Sequence, residues 1–198
     1  METVAIDDVE PDRFGAGVDR HVLSSPLGTT DVAINRFSVA SGEELPAGLH
    51  AHADQEEVFV VLAGEATFET LVEGADGREA GEVTVGAGEA IRFAPGEFQS
   101  GRNDADTDLV VLAMGAPRDS EDVRIPVACP ACGHEDVRLD AGGDRPTFVC
   151  PDCGDEHVPA PCPACGSEDL HTTLGADARV IVVCRECDAA FDEPPLRD

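Results

Sequence analysis

The sequence contains no tryptophan, no tyrosine and no lysine. With only 8 Phe in 198 residues, a core must be built mainly from Val, Leu, Ile and Ala. Hydrophobic residues still make up 42%, enough for a packed interior, and the length fits one medium domain plus one or two small ones. No apolar run approaches the roughly 20 residues that a membrane-crossing helix needs. Met1 to Asp12 is acidic and carries no apolar segment, so neither a secretory leader nor a membrane anchor is expected, and the compartment expected is the cytoplasm. A phosphate-cradling glycine loop, a dinucleotide fingerprint and a Ser-His-Asp order are also missing.

Positive charge is scarce. There are 41 acidic residues against 13 basic ones, all of them Arg. The acids do not run together: residues 1–127 hold 26 acids and 8 Arg, residues 128–198 hold 15 and 5. An acidic protein with its charge spread so evenly fits adaptation to concentrated salt, as in salt-accumulating halophiles, better than one acidic face built for a cationic partner. Near molar salt the Debye length falls to about 3 Å, so the acidity does not by itself exclude nucleic acid.

What is present reads as β structure. Residues 1–20 are expected to be an irregular lead-in. From Asp31 onward short apolar stretches alternate with glycine turns: Val32 to Val39, the continuous run Val58 to Leu62, Ala66 to Leu71, Val83 to Val85, Ala90 to Ala94 and Leu109 to Met114. The Ala63-Gly64-Glu65 turn predicts a hairpin joining the second and third of these, and Gly74 to Gly77 predicts another. Many short strands without a convincing helix predict an antiparallel sandwich or barrel over residues 21–116. Residues 117–127, charged and containing Pro117 and Pro126, read as a linker.

The eight cysteines all lie beyond Ala128, in Cys-x2-Cys pairs, and the segment repeats itself. Cys129-Pro130-Ala131-Cys132-Gly133 matches Cys162-Pro163-Ala164-Cys165-Gly166. Cys150 and Cys153 close the first unit after 17 residues, and Cys184 and Cys187 close the second after 18. Four thiolates suit a closed, structural tetrahedral zinc site, which also supplies the folding energy that a unit of about 30 residues lacks. Each unit resembles a zinc ribbon, residues 128–157 and 158–198, with hairpin tips at Gly142-Gly143-Asp144 and Gly175-Ala176-Asp177. The repeat favours one Zn2+ per unit, on Cys129, Cys132, Cys150 and Cys153 and on Cys162, Cys165, Cys184 and Cys187; sharing of the inner pairs is the alternative. His134, His157 and His171 are expected to be exposed polar residues. Ribbons of this type imply a protein or nucleic-acid partner as an option.

Upstream, Gly48-Leu49-His50-Ala51-His52 is followed by Glu56-Glu57 and Gly64. Two His two apart on a strand point to one face, whereas Glu56 and Glu57 face opposite ways. Two imidazoles and a carboxylate suit Fe(II), Mn(II), Ni(II) or Zn(II) with open positions left over. The spacing His50-x-His52, four residues, Glu57, six residues, Gly64 resembles the first motif of the cupin superfamily, although seven residues rather than five separate Gly42 from His50. Gly88, Ala94, Gly96, Gln99 and Asn103 fall at the spacings of the second motif, with Ala94 in place of Pro and Gln99 in place of His.

This resemblance implies a mainly β chain: a cupin-like antiparallel β-barrel (a double-stranded β-helix), then two four-cysteine zinc-ribbon hairpin modules. It implies a divalent metal held by His50, His52, Glu57 and Gln99, with Glu56 as the competing carboxylate. A metal-free barrel that keeps the histidines as polar residues is the alternative. Arg36 and Arg92 are candidates for a substrate anion or, more simply, surface ion-pair partners. The functions implied are a metal-binding protein that acts on or senses a small molecule, a dioxygenase or isomerase, or a regulatory module whose ribbons make the contacts. Cupin relatives also make a homodimer an option.

Overall fold

The structure is a computed structural model, describing residues 1–75 and 77–197. The elements in chain order are β1 (Asp12–Phe14), β2 (Val18–Val22), a four-residue helix α1 (Ser24–Leu27), β3 (Ala33–Val39), β4 (Ala51–His52), β5 (Glu56–Ala63), β6 (Glu65–Gly74) and β7 (Gly77–Gly86). They continue with β8 (Ala90–Phe93), β9 (Phe98–Arg102), β10 (Leu109–Ala116), β11 (Val123–Ile125), β12 (Val137–Asp140), β13 (Thr147–Val149), β14 (Glu156–His157), β15 (Leu170–Leu174), β16 (Val180–Cys184) and β17 (Ala190–Phe191).

A six-stranded sheet in the order β1-β2-β3-β10-β5-β8 faces a three-stranded sheet β7-β6-β9. Alternation decides what lies between them. On β5, Phe59 and Val61 point inward with Glu57 on the same face, and on β10 Leu109, Val111 and Ala113 do likewise. With no Trp or Tyr to fill the interior, three of the phenylalanines cluster: Phe68 lies 5.0 Å from Phe59 and 5.5 Å from Phe93, ring centre to ring centre. Val39, Val61, Leu109 and Val111 are fully buried around them. Buried polar side chains gather at the two ends of this filling: Asn103, which donates to the Val39 and Thr107 carbonyls at 2.9 Å, at one, and His50 and Gln99 at the other.

Four expectations need correction. The two sheets do not close into a barrel. The metal-motif segment touches β9 through a single bridge, His50 to Gln99, and β4 then pairs with β11, so its second edge is taken before it can join the six-stranded sheet. Second, the Gly64 turn makes no hairpin: β5 pairs with β10 and β8, β6 with β7 and β9, and the chain changes sheet at Gly64. A local pattern shows that the chain turns there but not which edge it meets. Third, the lead-in is partly regular. β1 and β2 form a hairpin that pairs along β3, with the Arg20 guanidinium 5.1 Å from the Phe14 ring. Its alternation was hidden by the polar run Asp19-Arg20-His21. Fourth, the supposed linker contains β11, and Ile125 and Val127 are buried in the core of the first cysteine unit. The Gly74 to Gly77 turn does join β6 to β7, with Gly74 opposite Gly77; Asp76 within it lies outside the described residues.

The cysteine half adds a five-stranded sheet, β14-β13-β12-β11-β4, and a three-stranded one, β15-β16-β17. Val182 of the second unit is buried in the same cluster as Val137, Cys129 and Cys150 of the first, with Leu139, Phe148, Leu170 and Phe191 around them. A second shared cluster joins Leu49, Ala51, Leu71 and Phe98 of the sandwich to Leu174 and Val180. Around it, Arg78 pairs with Asp136 at 2.5 Å, and buried Glu69 accepts from Thr173 at 2.9 Å and from Arg102 at 3.3 Å.

Candidate metal centre

His50, His52 and Glu57 meet at one end of the sandwich. One ligand atom from each lies within 4.8 Å of the others, and His52 Nε2 is 3.7 Å from Glu57 Oε2. The two rings stand nearly perpendicular, 81° apart, with centres 5.1 Å from each other.

Both rings are fixed from behind. His50 Nδ1 lies 2.9 Å from the Gly48 carbonyl, which can only accept, so Nδ1 carries the proton and Nε2 keeps its lone pair. His52 Nδ1 lies 2.9 Å from Ser120 Oγ, and that hydroxyl donates to Asp54 at 2.6 Å. The Ser120 oxygen is therefore free to accept from His52 Nδ1, which again leaves Nε2 unprotonated. An imidazole with its far nitrogen tied to an acceptor is the form that binds a metal. Burial pushes His52 below its ordinary 6.5; the Glu57 carboxylate pulls it back up, and His50 pushes it down again. Desolvation pushes the Asp54 carboxyl up, but the Ser120 hydroxyl and the Glu121 N–H outweigh it and hold Asp54 below 3.8. Asp54 is thus a standing anion that anchors Ser120.

Gln99, only 4% exposed, donates from Nε2 to Glu57 Oε2 at 3.0 Å. In this arrangement it orients the carboxylate. Glu56 points the other way and pairs with Arg92 at 2.7 Å on the surface. Arg36 donates to Ser38 at 2.8 Å. Neither Arg reaches the centre. An arginine that shares a pocket with two residues of the centre lies in the supposed linker. Arg118 lines a pocket of about 350 Å³ together with Asn35, His52, Gln55, Glu57 and Asp119. Its Nη1 donates to the Thr29 carbonyl, and it is in no ion pair among the described residues. Buried Gln55 donates to the Pro117 carbonyl at 2.5 Å, which fixes the chain where Arg118 begins. Ser120, Asp54, Gln55 and Arg118 carried no motif; only the Pro117-Arg118 step after the last strand could have drawn attention to them.

The eight cysteines form two separate groups, Cys129, Cys132, Cys150, Cys153 and Cys162, Cys165, Cys184, Cys187. Sulfur separations are 3.8 Å for Cys129–Cys153, 3.5 Å for Cys132–Cys150, 3.7 Å for Cys162–Cys187 and 3.6 Å for Cys165–Cys184. A tetrahedron with Zn–S bonds of about 2.3 Å has edges of about 3.8 Å, so both groups could hold zinc. The same turn occurs four times: the N–H four residues after the first cysteine of a pair donates to that cysteine's carbonyl, at Gly133, Gly154, Gly166 and Asp188. The Cys153 N–H pulls the Cys150 thiol down to about 6. At Cys132 the pull of the His134 N–H is outweighed by desolvation and by hydrogen bonds with neighbouring thiols, which push it up to about 12, so without a metal the four sulfurs share protons unequally. The three nearby histidines are less exposed than expected. His157 is half-buried, and His171 is largely buried, with Nε2 3.6 Å from Glu44.

Residues 35–115 match the model of the cupin domain family. No curated protein matches the chain by sequence. Among solved structures, a recombinant oxalate oxidase in complex with glycolate is similar at 18% identity over 61% of this chain and 61% of that one, with a TM-score of 0.50. A predicted oxalate decarboxylase from Thermotoga maritima is 24% identical over 58% of this chain and 98% of that one, TM-score 0.48. The oxalate decarboxylase of Lactobacillus farciminis is 18% identical with a TM-score of 0.49; the match covers 58% of this chain and only 32% of that one. The likeness to the oxalate oxidase concerns the fold alone. The span that matches the cupin domain model, residues 35–115, contains His50, His52, Glu57 and Gln99, and all eight cysteines lie beyond it.

Proposed function

We propose that this chain is a mononuclear metal cupin that binds a small anionic molecule, and that its two cysteine units are structural zinc ribbons. His50, His52 and Glu57 hold the metal and Gln99 fixes the carboxylate. The donor set fits a divalent ion with open positions: two neutral imidazoles and one carboxylate leave a bound M2+ with one net positive charge. Bound there, the metal supplies a Lewis-acid anchor for an oxygen ligand.

The observation that carries the anionic ligand is Arg118. In a chain with 41 acids and 13 Arg, it faces the metal pocket and is in no ion pair among the described residues. A guanidinium beside a net positive metal centre favours a carboxylate or another small oxyanion, held by the metal at one end and by Arg118 at the other. The pocket, about 350 Å³, has room for a small molecule. Oxalate and glycolate, named for the oxalate enzymes of similar fold, are the probes of choice.

Elemental analysis of protein purified in high salt should find two zincs per chain and a third metal that is lost in the His50→Ala/His52→Ala variant. Oxalate added to Mn(II)-loaded protein should change the Mn(II) electron paramagnetic spectrum. Arg118→Gln should weaken that binding about tenfold to a hundredfold, the worth of a charge-assisted hydrogen bond. A third metal unaffected by loss of both histidines overturns the centre. Oxalate and glycolate binding unchanged in Arg118→Gln overturns the anion site.

A further inference from the structure

The segment that presents the metal ligands is held from outside the matched cupin span. Gly48 to His52 runs between the two cysteine units. On one side, Leu49 N–H donates to the Thr172 carbonyl at 2.7 Å, and the Thr172 hydroxyl donates back to the Leu49 carbonyl at 2.7 Å. Thr172 is 6% exposed and Leu49 is fully buried, so neither bond is shared with water. On the other side, β4 pairs with β11 in the sheet of the first unit, His52 opposite Val123.

The glycine two residues before His50 fits this contact. Gly48 has φ +66°, and a Cβ there would lie 2.8 Å from the Thr172 carbonyl oxygen and 2.9 Å from His171 Cβ. The second cysteine unit and the ligand segment are thus in backbone contact at Gly48, and the Gly48 carbonyl also accepts from His50 Nδ1. On β15, Thr172 stands opposite Val182 of β16, and Leu170 stands opposite Cys184. A continuous set of contacts therefore runs from the second cysteine group through β16 and β15 to Leu49 and the His50 ring. His52 is tied to Ser120, also beyond residue 115.

We propose that the second ribbon is a working part of the cupin metal centre, with Thr172 as the positioning residue that holds the His50 backbone and so aims its imidazole. Zinc in the second ribbon then governs metal affinity at a site made of other residues. This inference rests on the His50–His52–Glu57 centre proposed above, but its test separates the two. It also differs from a tethered-module reading, in which the ribbons would leave the centre alone.

Three full-length variants decide it. Thr172→Val keeps the shape and removes the hydroxyl, so the buried Leu49 carbonyl loses a donor. Thr172→Ser restores that donor. Cys187→Ser removes an exposed ligand of the second group. Thr172→Val should retain two zincs, bind Mn(II) at the centre about tenfold more weakly and broaden its electron paramagnetic spectrum, whereas Thr172→Ser should bind as the parent does. In metal-free centres, hydrogen exchange at the amides of 49–52 should speed up about tenfold in Thr172→Val and further in Cys187→Ser, while β5 and β10 stay protected. Parental Mn(II) affinity and parental exchange at 49–52 in Thr172→Val would overturn the proposal. So would loss of the second zinc in Cys187→Ser with no change at 49–52. If the parent takes up no third metal, the reading of the centre fails, and the exchange comparison still decides whether Thr172 positions His50.

Discussion

Asp188 occupies a place that glycine fills in the other three cysteine turns. Gly133, Gly154 and Gly166 have φ of 77°, 77° and 83°, and Asp188 has φ 56°. An aspartate tolerates that left-handed conformation better than most residues, but glycine adopts it without steric cost. Asp188→Gly should therefore stabilise the second ribbon by about 0.5–1 kcal/mol, visible as slower zinc transfer to a chelator. Gln99 makes a different point. The motif spacing drew attention to it as a weak ligand, yet its amide donates to Glu57. An amide is both donor and acceptor, so sequence cannot choose between those roles, whereas strand alternation made the His-x-His pair legible and the spacing to Gly64 singled out Glu57 over Glu56. Gln99→Leu removes the carboxylate's partner without touching a ligand, and should weaken metal binding about tenfold to a hundredfold, read by competition with a fluorescent chelator. Unchanged affinity would make Gln99 dispensable to the centre.

At the scale of elements, the cysteine repeat and its hairpins were readable because each unit is local: turn, strand, tip, strand. Pairing between distant strands was not. Nothing near Val123 signals that β11 binds β4, some 70 residues earlier in the chain, and nothing near Gly64 signals a change of sheet. The shared cluster of Val182 with Val137, Cys129 and Cys150 carries a consequence of its own. Two cysteine units with one core are expected to melt together, because under the proposed zinc sites the loss of either ion would loosen the wall of the other. In Cys153→Ser, which breaks only the first group, the second zinc should also leave faster under chelator challenge. Release of that zinc at the parental rate would mean that the two units are energetically separate despite their contact.

Across the whole molecule, the contact between the halves is polar as well as apolar, and that makes it responsive to acid. His171 lies between the sandwich and the second ribbon. Its pKa is lowered from 6.5, first by burial and then by the nearby Arg185 guanidinium, against the pull of Glu44. In the unfolded chain the imidazole takes a proton near 6.5; in the folded chain it does so only at lower pH. The neutral form is thus the one the fold favours, and its stabilising effect is complete above 6.5 and lost as pH falls through that value toward the lowered one. The thermal midpoint should drop between pH 7.5 and 5.5, and the drop should shrink in His171→Gln. A midpoint that rises on acidification would contradict this. His52, lowered chiefly by the same desolvation, acts in the same direction when no metal covers it.

The β4–β11 pairing sets how this polypeptide can be divided. A fragment that stops where the cupin match ends, at residue 115, would leave the outer edge of β4 bare and strip the cover from Leu49, the residue next to the first histidine. Such a piece would be adhesive rather than autonomous, because an unpaired edge beside an uncovered apolar side chain invites association with other copies. Expressed alone, the β-sandwich is expected to aggregate, and its solubility should return when the cysteine-bearing tail is restored.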